Sequence, residues 1–154
     1  MEHHLQAMQL AIGEAEKALR EGETPVGAVI LHDGICIARA HNETERRNNP
    51  TSHAEMLAIE RACQAMTSNT LTGCTLYVTL EPCPQCAAAL IHAQISRVVF
   101  GAFDEKQGAC GSAFQLCGGT LGWRIQIIGG IEKAHCEALL ALHFGRIRER
   151  GRRF

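Results

Sequence analysis

The stretch VGAVILHDGICIA, residues 26–38, decides the fold. Residues 26–31 form a nearly continuous apolar run, and Ile35-Cys36-Ile37-Ala38 answers it across Asp33-Gly34. Asp-Gly tolerates the positive φ that a two-residue hairpin turn demands, so the stretch predicts two antiparallel strands. Upstream, Leu5, Met8, Ile12, Ala15 and Leu19 recur at spacings of three and four. That is one apolar stripe of an amphipathic helix, with Gly22 placed to stop it. Downstream, the polar residues 41–50 contain Asn48-Asn49-Pro50 and predict a loop. A helix starting near Ser52 follows, with Met56, Ile59, Cys63 and Met66 on one face. After Thr72-Gly73, the β-branched and aromatic residues 75–79 predict a strand, and the alanine-rich residues 83–93 a closely packed helix. Residues 97–101 read as a strand, 103–119 as Gly-rich loop, 124–128 as a last strand, and 132 to about 150 as a helix. Parallel strands need crossovers, and crossover helices cover both faces of a sheet. The expectation is an α/β fold: a three-layer α/β/α sandwich on a mixed five-stranded sheet, one domain over residues 1–154.

Composition agrees with that frame. A chain of 154 residues with 46% hydrophobic and 20% charged residues suits one packed core and excludes disordered, collagenous and repeat architectures. The net charge of −1 hides an asymmetry, because residues 143–154 hold five arginines (Arg146, Arg148, Arg150, Arg152, Arg153) against the single acid Glu149. A basic tail on an acidic body is either a nucleic-acid footprint or a solvated helix end that complements the macrodipole. No segment has the apolar length of a membrane span, and Met1-Glu2-His3-His4 lacks the features of a secretory signal. The expectation is a cytoplasmic chain whose eight cysteines stay reduced. Among them only Cys83 and Cys86 form a C-x-x-C; Cys36, Cys63, Cys74, Cys110, Cys117 and Cys136 stand among apolar neighbours as ordinary buried thiols.

The chemistry concentrates in His53-Ala54-Glu55 and Pro82-Cys83-Pro84-Gln85-Cys86, each at the start of an expected helix. One imidazole and two thiolates make a three-ligand zinc site that leaves a fourth tetrahedral position for water, as a catalytic zinc requires. Glu55 lies two residues beyond the ligand, placed to exchange protons with that water. Each element also has a structural reading. Ser52-x-x-Glu55 fits a capping box, Cys83-x-x-Cys86 fits a redox pair, and a closed structural zinc site could recruit His92, Cys110 or Cys117. His41, His92, His135 and His143 read as core or surface histidines. The order H-x-E, a strand, then P-C-x-x-C is far more specific than any element alone, and it points to a hydrolytic zinc site.

These residues resemble the cytidine-deaminase-like superfamily and, within it, the bacterial tRNA adenosine deaminases. The likeness runs from about Ala7 to Arg148. It takes in Pro25-Val-Gly-Ala-Val29, Asn42, His53-Ala-Glu-Met56, Leu76-Tyr-Val-Thr-Leu-Glu-Pro-Cys83, Val98-Val-Phe-Gly-Ala-Phe-Asp104, Lys106 and Gly108-Ala-Cys-Gly-Ser112. The first of these are shared with guanine and cytosine deaminases, whereas residues 100–112 look more like the tRNA enzymes. The resemblance implies one zinc ion per subunit on His53, Cys83 and Cys86, with Glu55 as proton shuttle. It further implies Asn42 against the target nucleoside and Asp104 and Lys106 where an anticodon loop enters. Phe144, Arg146 and Arg148 would line the RNA groove, and backbone N–H groups near Ala54 would stabilise developing charge. The implied reaction is hydrolytic deamination of adenosine to inosine at the wobble position of a tRNA anticodon stem-loop, by a homodimer. Three segments depart from the family pattern: Cys117-Gly-Gly-Thr120 in a shortened loop, Gly122-Trp123-Arg124 in place of Asn-His-Arg, and His143-Phe144-Gly145 in the last helix. Two alternatives stand beside this reading. One is deamination of a free base such as guanine or cytosine, and the other is a non-catalytic, zinc-stabilised RNA-binding module.

Overall fold

The computed structural model describes residues 1–152. Helix α1 (Glu2–Arg20) leads into the hairpin β1 (Gly27–His32) and β2 (Ile35–His41), followed by α2 (Ala54–Met66), β3 (Cys74–Leu80), α3 (Pro84–His92), β4 (Arg97–Ala102), β5 (Gln126–Gly129) and α4 (Lys133–Arg152). The five strands form one sheet in the order β2-β1-β3-β4-β5. Strand β1 is antiparallel to both β2 and β3, while β3, β4 and β5 are mutually parallel. The mixed five-stranded α/β sandwich expected from the sequence is the fold. Asp33 and Gly34 both adopt positive φ (50° and 77°), the two-residue turn that their chemistry favours.

Alternation along the strands sends side chains to two cores. Ala28, Ile30, Leu76, Val78, Val98 and Phe100 pack under α2 and α3, while Val29, Tyr77 and Val99 pack under α1 and α4. The helices lie on the sheet through small residues. In α1 the buried stripe is Ala7, Met8, Ala11, Ile12, Ala15 and Ala18; Leu5 is exposed and Leu19 half-buried. In α2 the buried residues are Ala54, Glu55, Leu57, Ala58 and Ala62, so the expected face of Met56, Ile59, Cys63 and Met66 is only half-buried, at the flank. Alanine permits close approach. A Cβ on Gly27 would lie 2.0 Å from the Ala11 carbonyl oxygen, which leaves room there for glycine alone.

Helix α1 stops at Gly22 (φ 80°), where Glu23 N–H reaches Ala18 O and Gly22 N–H reaches Leu19 O, a Schellman closure. The β4–β5 crossover contains no helix. It is loop, stiffened by the isolated bridges Cys110↔Gln115 and Gly118↔Arg124. Trp123, one of the departures from the family pattern, donates from its indole N–H to Ile95 O at 2.8 Å and ties this loop to the start of β4. Arg153 of the basic tail lies outside the described residues. Among the described residues no helix is long and apolar enough to cross a membrane.

Candidate active site

The site forms where β3 and β4 end and where α2 and α3 begin, the usual location in open α/β sheets. Two turns deliver its ligating groups. His53 and Cys83 are each the residue that caps a helix, in extended conformation, and Pro84 occupies the first helical position after Cys83. The loop leading to His53 is held from beneath. Glu23, 1% exposed, accepts the N–H groups of Glu45 and Arg46 at 2.9 Å each. Glu43 pairs with Arg47 at 2.8 Å and Arg61 at 3.8 Å, and its N–H bonds to Ser52 O. Ser52-x-x-Glu55 does not act as a capping box: α2 starts after His53, and no side chain caps it.

His53 Nδ1 stands 3.3 Å from Cys86 Sγ and 3.6 Å from Cys83 Sγ, and the three ligand atoms lie within 4.8 Å of one another. Zinc–nitrogen and zinc–sulfur bonds of usual length, at tetrahedral angles, place N and S about 3.6 Å apart, so the donor set fits a zinc ion without rearrangement. The charges suit it too. A hydrogen bond from Cys86 draws the Cys83 thiol down to about 4, aided by His53. His53 is pushed up in return by its bond to Cys83. Among the described residues this His/Cys group has three members, one short of a closed structural site. His92 is exposed at the end of α3, and Cys110 and Cys117 face each other at 3.8 Å.

Beside His53, Cys83 and Cys86 opens a cleft of about 180 Å³, lined by Asn42, Ala54, Glu55, Glu81 and Asp104 among others. Glu55 is 4% exposed, and burial pushes its carboxyl up to about 7. That is where a group must titrate to accept and return a proton near neutrality. Ala54 is fully buried at the first position of α2, where the helix leaves its N–H unpaired. Asn42 is buried, with Nδ2 donating to Thr44 Oγ1 at 3.3 Å. Asp104 sits at the cleft with Oδ1 accepting from the N–H groups of Lys106 and Gln107 at 3.1 Å.

The remaining anticipated residues lie further out. Lys106 is exposed and does not line the cleft; its neighbour Gln107 does. Phe144 is 47% exposed on α4. Arg146 and Arg150 line a separate cleft with Arg20, Gly22 and His143, between the end of α1 and α4, while Arg148 is exposed and outside it. His143 links the two clefts, its Nε2 lying 3.5 Å from Oγ1 of Thr24, which lines the first. Thr24, Thr44, Glu81 and Gln107 escaped the sequence reading. They come from four separated segments; Glu81, beside Pro82-Cys83, and Gln107, between Lys106 and Gly108, adjoin residues that the sequence did single out.

Comparison with known proteins places this geometry in a family. Residues 2–135 match the family described as MafB19-like deaminase. A tRNA-specific adenosine deaminase of Bacillus subtilis is 42% identical over 144 residues, covering 93% of this chain and 89% of its own. A solved structure from a study of A-to-I editing by tRNA:A34 deaminases at the wobble position is 39% identical, with a TM-score of 0.85 over 88% of this chain and 99% of that one. The guanine deaminase of Bacillus subtilis is 36% identical, with a TM-score of 0.61 over 64% of this chain and 63% of that one. Both tRNA enzymes match this chain more fully than that guanine deaminase in identity and coverage, and the chain belongs to the MafB19-like deaminases and to the tRNA-specific adenosine deaminases.

Proposed function

We propose that this chain is a zinc-dependent hydrolase that converts adenosine to inosine at the wobble position of a tRNA anticodon, releasing ammonia. The observation that carries the reading is a buried carboxyl, Glu55, raised to about 7 beside a three-membered His/Cys/Cys group in a cleft. When bound by His53, Cys83 and Cys86, zinc would supply water activated for attack at neutral pH. Glu55 would take a proton from the attacking water, pass it to N1 of adenine, and later move one to the departing 6-amino group. Asn42 orients the nucleoside, and the Ala54 N–H offers a donor to developing negative charge. A base in an anticodon loop can be splayed out at modest cost, which suits recognition in a cleft of about 180 Å³. Asp104 and Lys106 stand for the entering loop, with Phe144, Arg146 and Arg148 on α4 towards its phosphates. A homodimer, a cytoplasmic location and a single catalytic domain over residues 1–154 belong to the same proposal.

The test is an inosine assay on zinc-loaded protein, comparing an anticodon stem-loop that carries a wobble adenine with free guanine, cytosine and adenosine. Conversion of the stem-loop alone is expected. Turnover of a free base with an inert stem-loop would overturn the RNA substrate and keep the metal site. The basic tail has its own readout. Replacing Arg146, Arg148 and Arg150 together by Ala should flatten the slope of log Kd against log salt by about 2, since each phosphate contact contributes a little under one. Anisotropy with a labelled stem-loop measures it, and an unchanged slope would leave the tail as a solvated helix end.

A further inference from the structure

Two buried carboxyl groups line the cleft, Glu55 and Glu81, 4% and 2% exposed. Glu81 is surrounded by donors from a single loop. Glu81 Oε1 accepts Asp104 N–H at 3.1 Å and the Ser112 hydroxyl. Oε2 accepts the N–H groups of Cys110 and Ser112 at 3.1 Å each. A carboxylate offers about four lone-pair sites, and here four donors take them, so none is left for a substrate.

The loop depends on this anchor. Residues 104–112 include no helix or strand, only the single bridge at Cys110. One further tie, Ala109 N–H to Pro82 O at 2.8 Å, joins the loop to the residue after Glu81. Gly108 crosses the carboxyl so closely that a Cβ there would lie 2.4 Å from the Glu81 carboxyl carbon. The same loop carries Asp104 and Gln107, which line the cleft, and Glu81 stands two residues before Cys83. The segment that carries a metal ligand therefore also carries the peg on which the cleft wall hangs.

We propose that Glu81 is the positioning residue for substrate recognition. Its carboxylate holds Asp104 and Gln107 at the cleft and so sets how tightly the nucleoside and its flanking RNA are bound, while Glu55 alone moves protons. This rests on reading the cleft as the nucleoside site. Glu81→Gln is nearly isosteric but replaces one acceptor oxygen by an NH₂ donor, leaving part of the loop's N–H set facing a donor. Ser112→Ala removes a single hydroxyl and cannot unfold the chain by itself.

The experiment uses zinc-loaded wild type, Glu81→Gln and Ser112→Ala, with steady-state kinetics on the stem-loop and hydrogen exchange on the free proteins. Glu81→Gln should keep stoichiometric zinc and raise KM about tenfold or more, with kcat changed only a few-fold, as befits loss of buried charged hydrogen bonds. Ser112→Ala should shift KM the same way by less. Exchange at the amides of Asp104, Cys110 and Ser112 should accelerate in Glu81→Gln, with the strands unaffected. A lower kcat at unchanged KM, the mark of a smaller folded fraction, would overturn the proposal, as would unaltered exchange in the loop. If the wild type turns over a free base instead of the stem-loop, the RNA reading fails. The KM shift on that base, together with loop exchange, then decides Glu81 separately.

Discussion

Glu55→Gln is expected to carry one zinc per chain, to melt with the wild type, and to deaminate the stem-loop about a thousandfold more slowly, the usual worth of a positioned proton shuttle. The separation of rate from stability follows from how Glu55 is held. It is buried at the first turn of α2, yet it caps nothing, because the helix begins after His53 and the Ser52-x-x-Glu55 pattern goes unused. Burial lifts its carboxyl to about 7, so the group is as ready to give a proton as to take one at neutral pH. Glutamine fills the same space and keeps a polar end but carries no titratable proton. The three measurements are metal content, thermal denaturation and single-turnover kinetics. A loss of less than about tenfold would transfer the proton relay to another group. A large fall in melting temperature would return Glu55 to a structural role.

The His53, Cys83 and Cys86 cluster was legible in the sequence because it lies in two short contiguous motifs. His53-Ala54-Glu55 and Cys83-x-x-Cys86 each need only a strand or loop before them and a helix after them, and those elements announce themselves. The strands were equally plain, since runs such as residues 75–79 and 97–101 are rich in β-branched and aromatic residues. What misled the reading was side-chain size. Leu5, Met56 and Met66 dominate any hydrophobic periodicity, but the faces of α1 and α2 that meet the sheet are lined by Ala7, Ala11, Ala15, Ala58 and Ala62. Small residues carry a weak hydrophobic signal and permit the closest packing, so in α2 the strongest stripe was not the buried one, whereas in α1 Met8, Ile12 and Ala15 of the expected stripe are buried. The cleft wall was hidden for another reason. Thr24, Thr44, Glu81 and Gln107 precede β1 and follow β2, β3 and β4, and they converge because the order β2-β1-β3-β4 brings those strand ends together, an order that no local pattern encodes in full. The departure at Trp123 resolves physically as well: its indole serves the fold at Ile95 O.

Cys83→Ala should lose stoichiometric zinc, all measurable deamination, and the part of the wild type's stability that zinc provides. The geometry gives the reason. Cys83 caps α3, His53 caps α2, and their ligand atoms with Cys86 Sγ span distances that one zinc ion fits. Removing one corner leaves two protein ligands, His53 and Cys86. The loss should be specific to the metal, because both cores lie on the sheet's faces and neither is built from Cys83. The apo chain is thus expected to fold. At free zinc a thousandfold above the dissociation constant, linkage adds about 4 kcal/mol to unfolding, so a strong chelator should lower the wild type by about that amount. It should leave Cys83→Ala unmoved, and the chelated wild type and the variant should then unfold at nearly the same denaturant concentration. A sharper control is Cys110→Ala, which alters a buried thiol outside the triad and should keep its zinc and its response to the chelator. A metal-loaded, chelator-sensitive Cys83→Ala protein would show that another residue completes the donor set. Equal chelator insensitivity in the wild type would remove the metal from the fold's stability altogether.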